Sequence, residues 1–118
     1  MQPTLLIAEP SQPLRSALAQ YFSTHGFDVR TADTAAALVQ ELQRERPQVV
    51  LLEPEILCGC DSGSAPPVPT VVLTRGFEAG PHLPETFQVG RRYHKPARLA
   101  QVEESLRAAA AGLAFAGP

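Results

Sequence analysis

Four residues with chemically capable side chains each follow directly on a candidate strand. Glu9 follows Thr4 to Ala8 (TLLIA), and Glu53 follows Val49 to Leu52 (VVLL). Thr74 follows Pro69 to Leu73 (PTVVL), and Lys95 follows residues 90–94. Two carboxylates, a hydroxyl and an ammonium would form one polar site if the fold gathered them on a single edge. Glu53 poses the choice most sharply. It is a catalytic carboxylate, a standing charge in place of a modification, or an ordinary strand terminus. Polar residues resume at any strand end, so one of these residues alone carries no weight; four of complementary type favour a site. Lys95 adds to this, because nine of the ten basic residues are arginine and it is the only lysine.

The elements that would position these groups can be read from hydrophobic periodicity. Residues 4–8 form a short apolar strand. A helix over residues 12–25 follows, with Ser11 as N-cap, Pro13 in its first turn, and Leu14, Leu18, Tyr21 and Phe22 at helical spacing. Gly26 supplies a left-handed stop. Phe27 to Thr31 alternates as a strand does. Asp33 is placed to cap a second helix with Ala35, Leu38, Val39 and Leu42 inward, closed by Arg44, Glu45, Arg46 and Pro47. Val49 to Leu52 lacks polar alternation, as strands buried on both faces do. Residues 54–69 are rich in Pro and Gly, leaving room for no more than a turn near Glu55 to Cys58. Pro69 to Leu73 is a fourth strand, a short helix is expected around Pro84 to Gln88, and residues 90–94 form a fifth strand. A last helix runs from Pro96 to about Ala114, with Leu99, Val102, Leu106 and Ala110 inward. Strands alternating with helices predict a parallel sheet covered on both faces. In such sheets ligands bind beyond the carboxyl ends of the strands, where the four residues lie.

Composition narrows the function classes. A chain of 118 residues with 44% apolar residues is most simply one globular domain over 1–118. No apolar run reaches membrane-spanning length, and the N-terminus lacks the basic start of a signal peptide, so a cytoplasmic location is expected. The net charge of -2 gives no pull toward nucleic acid or anionic membrane. Cys58 and Cys60 flank one glycine, too close for an unstrained disulfide and without further metal ligands nearby, so they read as structural or incidental thiols. His25 reads as a helix-end cation, His82 as a loop residue and His94 as a strand-end neighbour of Lys95. No Gly-rich phosphate loop follows the first strand, and no G-x-S-x-G elbow is present. An enzyme is not expected.

In order and spacing the motifs resemble the receiver domain of two-component response regulators. "LLIAEPSQPLRSAL" is similar to that family's opening strand, acidic pair and first helix. "HGFDVRTADTAAALVQELQRERPQVVLLEP" is similar to its Gly-aromatic turn, second strand, second helix and third strand. "PTVVLTR" resembles the fourth strand with its threonine, and "YHKPARLAQVEESLRA" the Lys-Pro motif and last helix. The resemblance covers nearly the whole chain. It implies a flavodoxin-like, three-layer α/β fold with a five-stranded parallel sheet in the order 2-1-3-4-5. The family's third and fourth helices would be shortened or lost here.

The resemblance also implies roles, and the site departs from them. The family's metal-holding acidic pair falls on Glu9 and Pro10, so one carboxylate is missing. Its phosphoacceptor aspartate falls on Glu53. Thr74, Lys95 and Pro96 match, Tyr93 stands one position off the aromatic switch residue, and Arg75 replaces a small residue. A Mg²⁺ ion wants near-octahedral oxygen ligands. Glu53 is a methylene longer than aspartate, and Pro54 removes an amide beside it. The expectation is a receiver not phosphorylated in the usual way, with no cofactor and no bound metal. Glu53 would pair with Lys95, and Arg75 with Glu9 or Glu55, in a fixed ion-pair cluster. Partners would be proteins: a histidine kinase, another signalling protein, or a second copy through the face of the fourth strand and last helix. Two alternatives stand beside it. One is a receiver phosphorylated at a non-standard site such as Glu53 or Asp61. The other is a flavodoxin-like module with a small-ligand pocket where the missing helices leave room.

Overall fold

The computed structural model describes residues 2–57, 67–75 and 86–112. The described elements are β1 (Thr4–Ala8), α1 (Gln12–Ser23), β2 (Asp28–Ala32), α2 (Ala35–Arg44), β3 (Val49–Leu52), a 3-10 turn (Pro54–Leu57), β4 (Val68–Thr74), β5 (Phe87–His94) and α3 (Leu99–Ala110). All five strands are parallel, in the order β2-β1-β3-β4-β5. This is the flavodoxin-like sheet expected from the sequence, with a 3-10 turn directly after β3, at the start of the segment where the third helix was expected to shrink.

The sheet separates two apolar layers, and strand alternation assigns residues to them. Leu5, Ile7, Val49, Leu51, Val71 and Leu73 face α1 and α3, packing on Leu18, Phe22, Val102 and Leu106. Leu6, Ala8, Val50 and Leu52 face the other way, onto Leu38 and Leu42 of α2 and Ile56 and Leu57 of the 3-10 turn. Each fully buried Leu or Val contributes about 1.5–3 kcal/mol, so the unbroken apolar runs of β1 and β3 anchor both layers. Of the predicted inner positions, Ala35, Val39, Leu99 and Ala110 are only half-buried.

Several boundaries differ from the sequence reading. β2 begins at Asp28 because the Phe27 amide donates to Phe22 O at 3.2 Å, tying it to the end of α1. Helix α1 stops at Ser23, and Gly26 takes the left-handed conformation at φ 89°. Ser11 occupies the N-cap of α1 without a side-chain cap bond. The cap of α2 is Thr34, not Asp33; its Oγ1 accepts from the Ala37 amide at 3.1 Å. Helix α3 begins at Leu99 rather than Pro96.

The largest correction concerns β5. It starts at Phe87, where the sequence suggested a short helix, and Phe87 and Gln88 pair with Val68 and Pro69. The ladder slips between Thr70 and Val71, leaving Gly90 as the extra residue. Phe87 and Tyr93 are an even number of positions apart and would otherwise share a face. The bulge reverses the parity, so Phe87 packs on the α2 side and Tyr93 on the α1–α3 side.

Candidate functional site

Parallel pairing places the first two groups side by side. Ala8 and Leu52 are register partners, so the residues after them, Glu9 and Glu53, leave adjacent strands together. The Glu53 amide donates to Ala8 O at 2.9 Å, and the Glu9 amide to Ala32 O at 3.1 Å. Both residues are 3% exposed. Lys95 comes from the far side of the sheet, where its amide donates to Thr74 O at 2.8 Å.

The Lys95 ammonium sits between the two carboxylates. Its Nζ lies 2.6 Å from Glu9 Oε1 and 3.0 Å from Glu53 Oε1. The second oxygen of each acid is held by backbone. Glu9 Oε2 accepts from the Ser11 amide at 3.0 Å, and Glu53 Oε2 from the Glu55 amide at 3.3 Å. The two halves are built alike. Each glutamate precedes a proline, which has no N–H, so the nearest free amide is two residues on. Proline also holds the residue before it extended, which suits a strand end. Arg15 reinforces the first turn by donating from Nη1 to Glu9 O at 3.0 Å. Every carboxylate oxygen therefore has a donor, which a buried carboxylate requires. In formal charge, two anions face one cation.

Other predicted residues lie further out. Arg75 pairs with Glu55 at 3.6 Å with both side chains exposed, so the Glu9 alternative does not form. Pro10 and Pro96 are exposed, Pro54 is buried, and Thr74 is half-buried at the end of β4. Tyr93 is half-buried with its hydroxyl turned onto α3, 2.6 Å from Ser105 Oγ and donating to Gln101 O at 3.2 Å. His94 is exposed. Cys58, Cys60, Asp61 and His82 lie outside the described residues. Among the described residues no group of three His, Cys, Asp or Glu is arranged to hold a metal. A cleft of about 400 Å³ runs beside Lys95, lined by Leu14, Leu18, Leu73, Pro96 and Leu99 among others. It lies between α1 and the start of α3, not where shortened helices were expected to leave room.

Sequence reasoning found the Glu53–Lys95 pair and offered Arg75 to Glu9 or Glu55, of which Glu55 takes it, but it did not foresee that Lys95 also serves Glu9. The missed signal was the repeated Glu-Pro step, which marks both acids as equivalent. Ser105 was missed as well, since a serine within a helix reads as surface.

A parallel sheet in this order, with the site at its carboxyl edge, defines a flavodoxin-like α/β module. Neither a protein-family model nor a curated protein matches the sequence. Solved structures do. The N-terminal domain of a response regulator/sensory box/GGDEF three-domain protein from Carboxydothermus hydrogenoformans aligns at TM-score 0.71 and 25% identity, covering 92% of this chain and 98% of that one. A sensor protein from Polaromonas sp. JS666 aligns at TM-score 0.77 and 17% identity, covering 97% and 100%. A CheY-like response regulator receiver domain from Methanospirillum hungatei JF-1 aligns at TM-score 0.70 and 14% identity, covering 95% and 99%. The chain has the receiver fold of response regulators.

Proposed function

We propose that this chain is a receiver-type signalling module that acts through protein–protein contact and does not take up a phosphoryl group at its strand-edge site. The observation that carries this reading is the Lys95 ammonium seated between Glu9 and Glu53. Phosphoryl transfer relies on a positioned acceptor and on cations that neutralise developing charge. Here the candidate acceptor, Glu53, already has a donor on each oxygen. A Mg²⁺ ion using these carboxylates would have to displace the ammonium, and Pro10 offers no replacement ligand. The site is a fixed ion pair rather than a mimic of a phosphorylated state. No enzymatic step and no cofactor is assigned to it.

Partners in this reading are a histidine kinase or another signalling protein, met in the cytoplasm, and a second copy through the face of β4 and α3. The net charge of -2 argues against nucleic acid and anionic membrane as targets. Among the described residues, no helix is long and apolar enough to cross a membrane.

The test is exposure of the whole chain to phosphoramidate with millimolar Mg²⁺, followed by intact mass and amide NMR. The expected outcome is an unchanged mass and unchanged amide shifts. A phosphoryl adduct that fragment masses place on Glu53 would overturn the reading, and one on Asp61 would favour a receiver phosphorylated at a non-standard site.

A further inference from the structure

We infer that Tyr93 and Ser105 form a buckle that positions Lys95, which makes Ser105 a working part of a site it does not touch. The inference rests on the fixed ion-pair reading and adds what holds the pair in register. Ser105 is a polar side chain on the inner face of α3, only 8% exposed, beside Val102, Leu106 and Ala109. A buried hydroxyl needs a partner, and Ser105 Oγ has one in the Tyr93 hydroxyl at 2.6 Å. The same phenol reaches Gln101 O at 3.2 Å, so one tyrosine engages two positions of α3.

The location gives this contact its consequence. Tyr93 lies near the end of β5 and Ser105 is in the second half of α3, so their bond closes a loop of chain that contains Lys95. Within the loop, Lys95, Pro96, Ala97 and Leu99 form one wall of the cleft beside the site. One end of the loop is fixed by pairing of Leu73 with Tyr93 and of Thr74 with His94. The other end starts α3. Apolar packing of strand on helix is non-directional and tolerates small slides. An ammonium aimed at two carboxylates at 2.6 and 3.0 Å tolerates them poorly, since ion-pair strength depends on geometry. The directional bond from β5 to α3 resists such slides.

The sequence makes the test direct, because Lys95 is the only lysine and the chain has two tyrosines. Lysine labelled with ¹⁵N at Nζ gives one side-chain ammonium signal, and 3-fluorotyrosine gives two fluorine signals. Ser105→Ala and Tyr93→Phe each remove the buckle hydroxyl pair from one side and leave the ring in place. Each variant is expected to move the Lys95 ammonium signal by more than its linewidth. The double variant should move it no further than Tyr93→Phe alone, because that change already removes the bond that Ser105→Ala breaks. In fluorotyrosine-labelled protein, Ser105→Ala should shift the Tyr93 signal and leave Tyr21 in place. If Ser105→Ala fails to fold, Tyr93→Phe carries the ammonium measurement alone. An unmoved ammonium signal in a folded variant overturns the inference, as do additive shifts in the double variant. These readouts do not involve phosphoryl transfer, so the buckle and the reading it rests on can fail separately.

Discussion

Among the described residues, opposite charges cluster in threes or more at the carboxyl edge of the sheet and on the flank where β2 meets α2. On the flank, Arg30 pairs with Glu41 at 3.3 Å and Glu45 at 3.8 Å, while Arg44 reaches Glu41 at 3.5 Å. The side chains of Arg30 and Glu41 are 20% and 18% exposed, but Glu45 and Arg44 at 66% and 73% open the cluster to water, which screens the pairs and solvates a charge left over. At the edge, the side chains of Glu9 and Glu53 are 4% and 2% exposed and that of Lys95 16%. Water cannot solvate a leftover charge there, and each member depends on the others. The edge contacts are also the shorter, at 2.6 and 3.0 Å against 3.3 to 3.8 Å on the flank, so burial and geometry together make the edge cluster the one that constrains the fold.

Removal of the central cation should separate them most. Lys95→Met leaves two buried carboxylates without compensation and is expected to cost about 3–5 kcal/mol in urea denaturation. With domain stabilities of about 5–15 kcal/mol, that is a large share. A loss below about 1 kcal/mol would place the edge cluster in the surface class. Glu53→Gln sharpens the contrast from the other side. It leaves Lys95 with Glu9, one cation to one anion, but the amide cannot accept from both the ammonium and the Glu55 N–H. The expected cost is about 1–3 kcal/mol, below that of Lys95→Met in the same titration. A larger loss for Glu53→Gln would refute the charge-count argument. The smallest effect is expected on the flank, where Arg30→Ala should change stability by no more than about 1 kcal/mol. Any difference there should shrink with added salt.

Much of this arrangement was legible in the sequence, for physical reasons. The apolar runs of β1 and β3 cannot satisfy a half-exposed position, so they had to be central strands, and the residue after each had to reach the carboxyl edge. That argument located Glu9 and Glu53, and the readings of the fourth and fifth strands added Thr74 and Lys95. It did not show that Lys95 would serve both acids, which depends on β1 and β3 being neighbours while β5 lies across β4. Strand β5 itself was half hidden, because the Gly90 bulge breaks the alternation that would reveal Phe87 as its first residue. Ser105 was illegible for a different reason: its partner, Tyr93, belongs to another element, and nothing local to α3 marks the serine as buried.

The paired Glu-Pro steps offer a use beyond this molecule. Glu9-Pro10 and Glu53-Pro54 follow neighbouring parallel strands, and in each the glutamate bonds the amide beyond its proline. Together with a lysine closing the edge strand, they form a short, spaced signature that can be written as text. Scanning translated genomes for that signature at the ends of the first, third and fifth strands would recover other domains in which an internal cation stands between two strand-end acids. It would do so without overall similarity between the chains, because the signature encodes the local geometry alone.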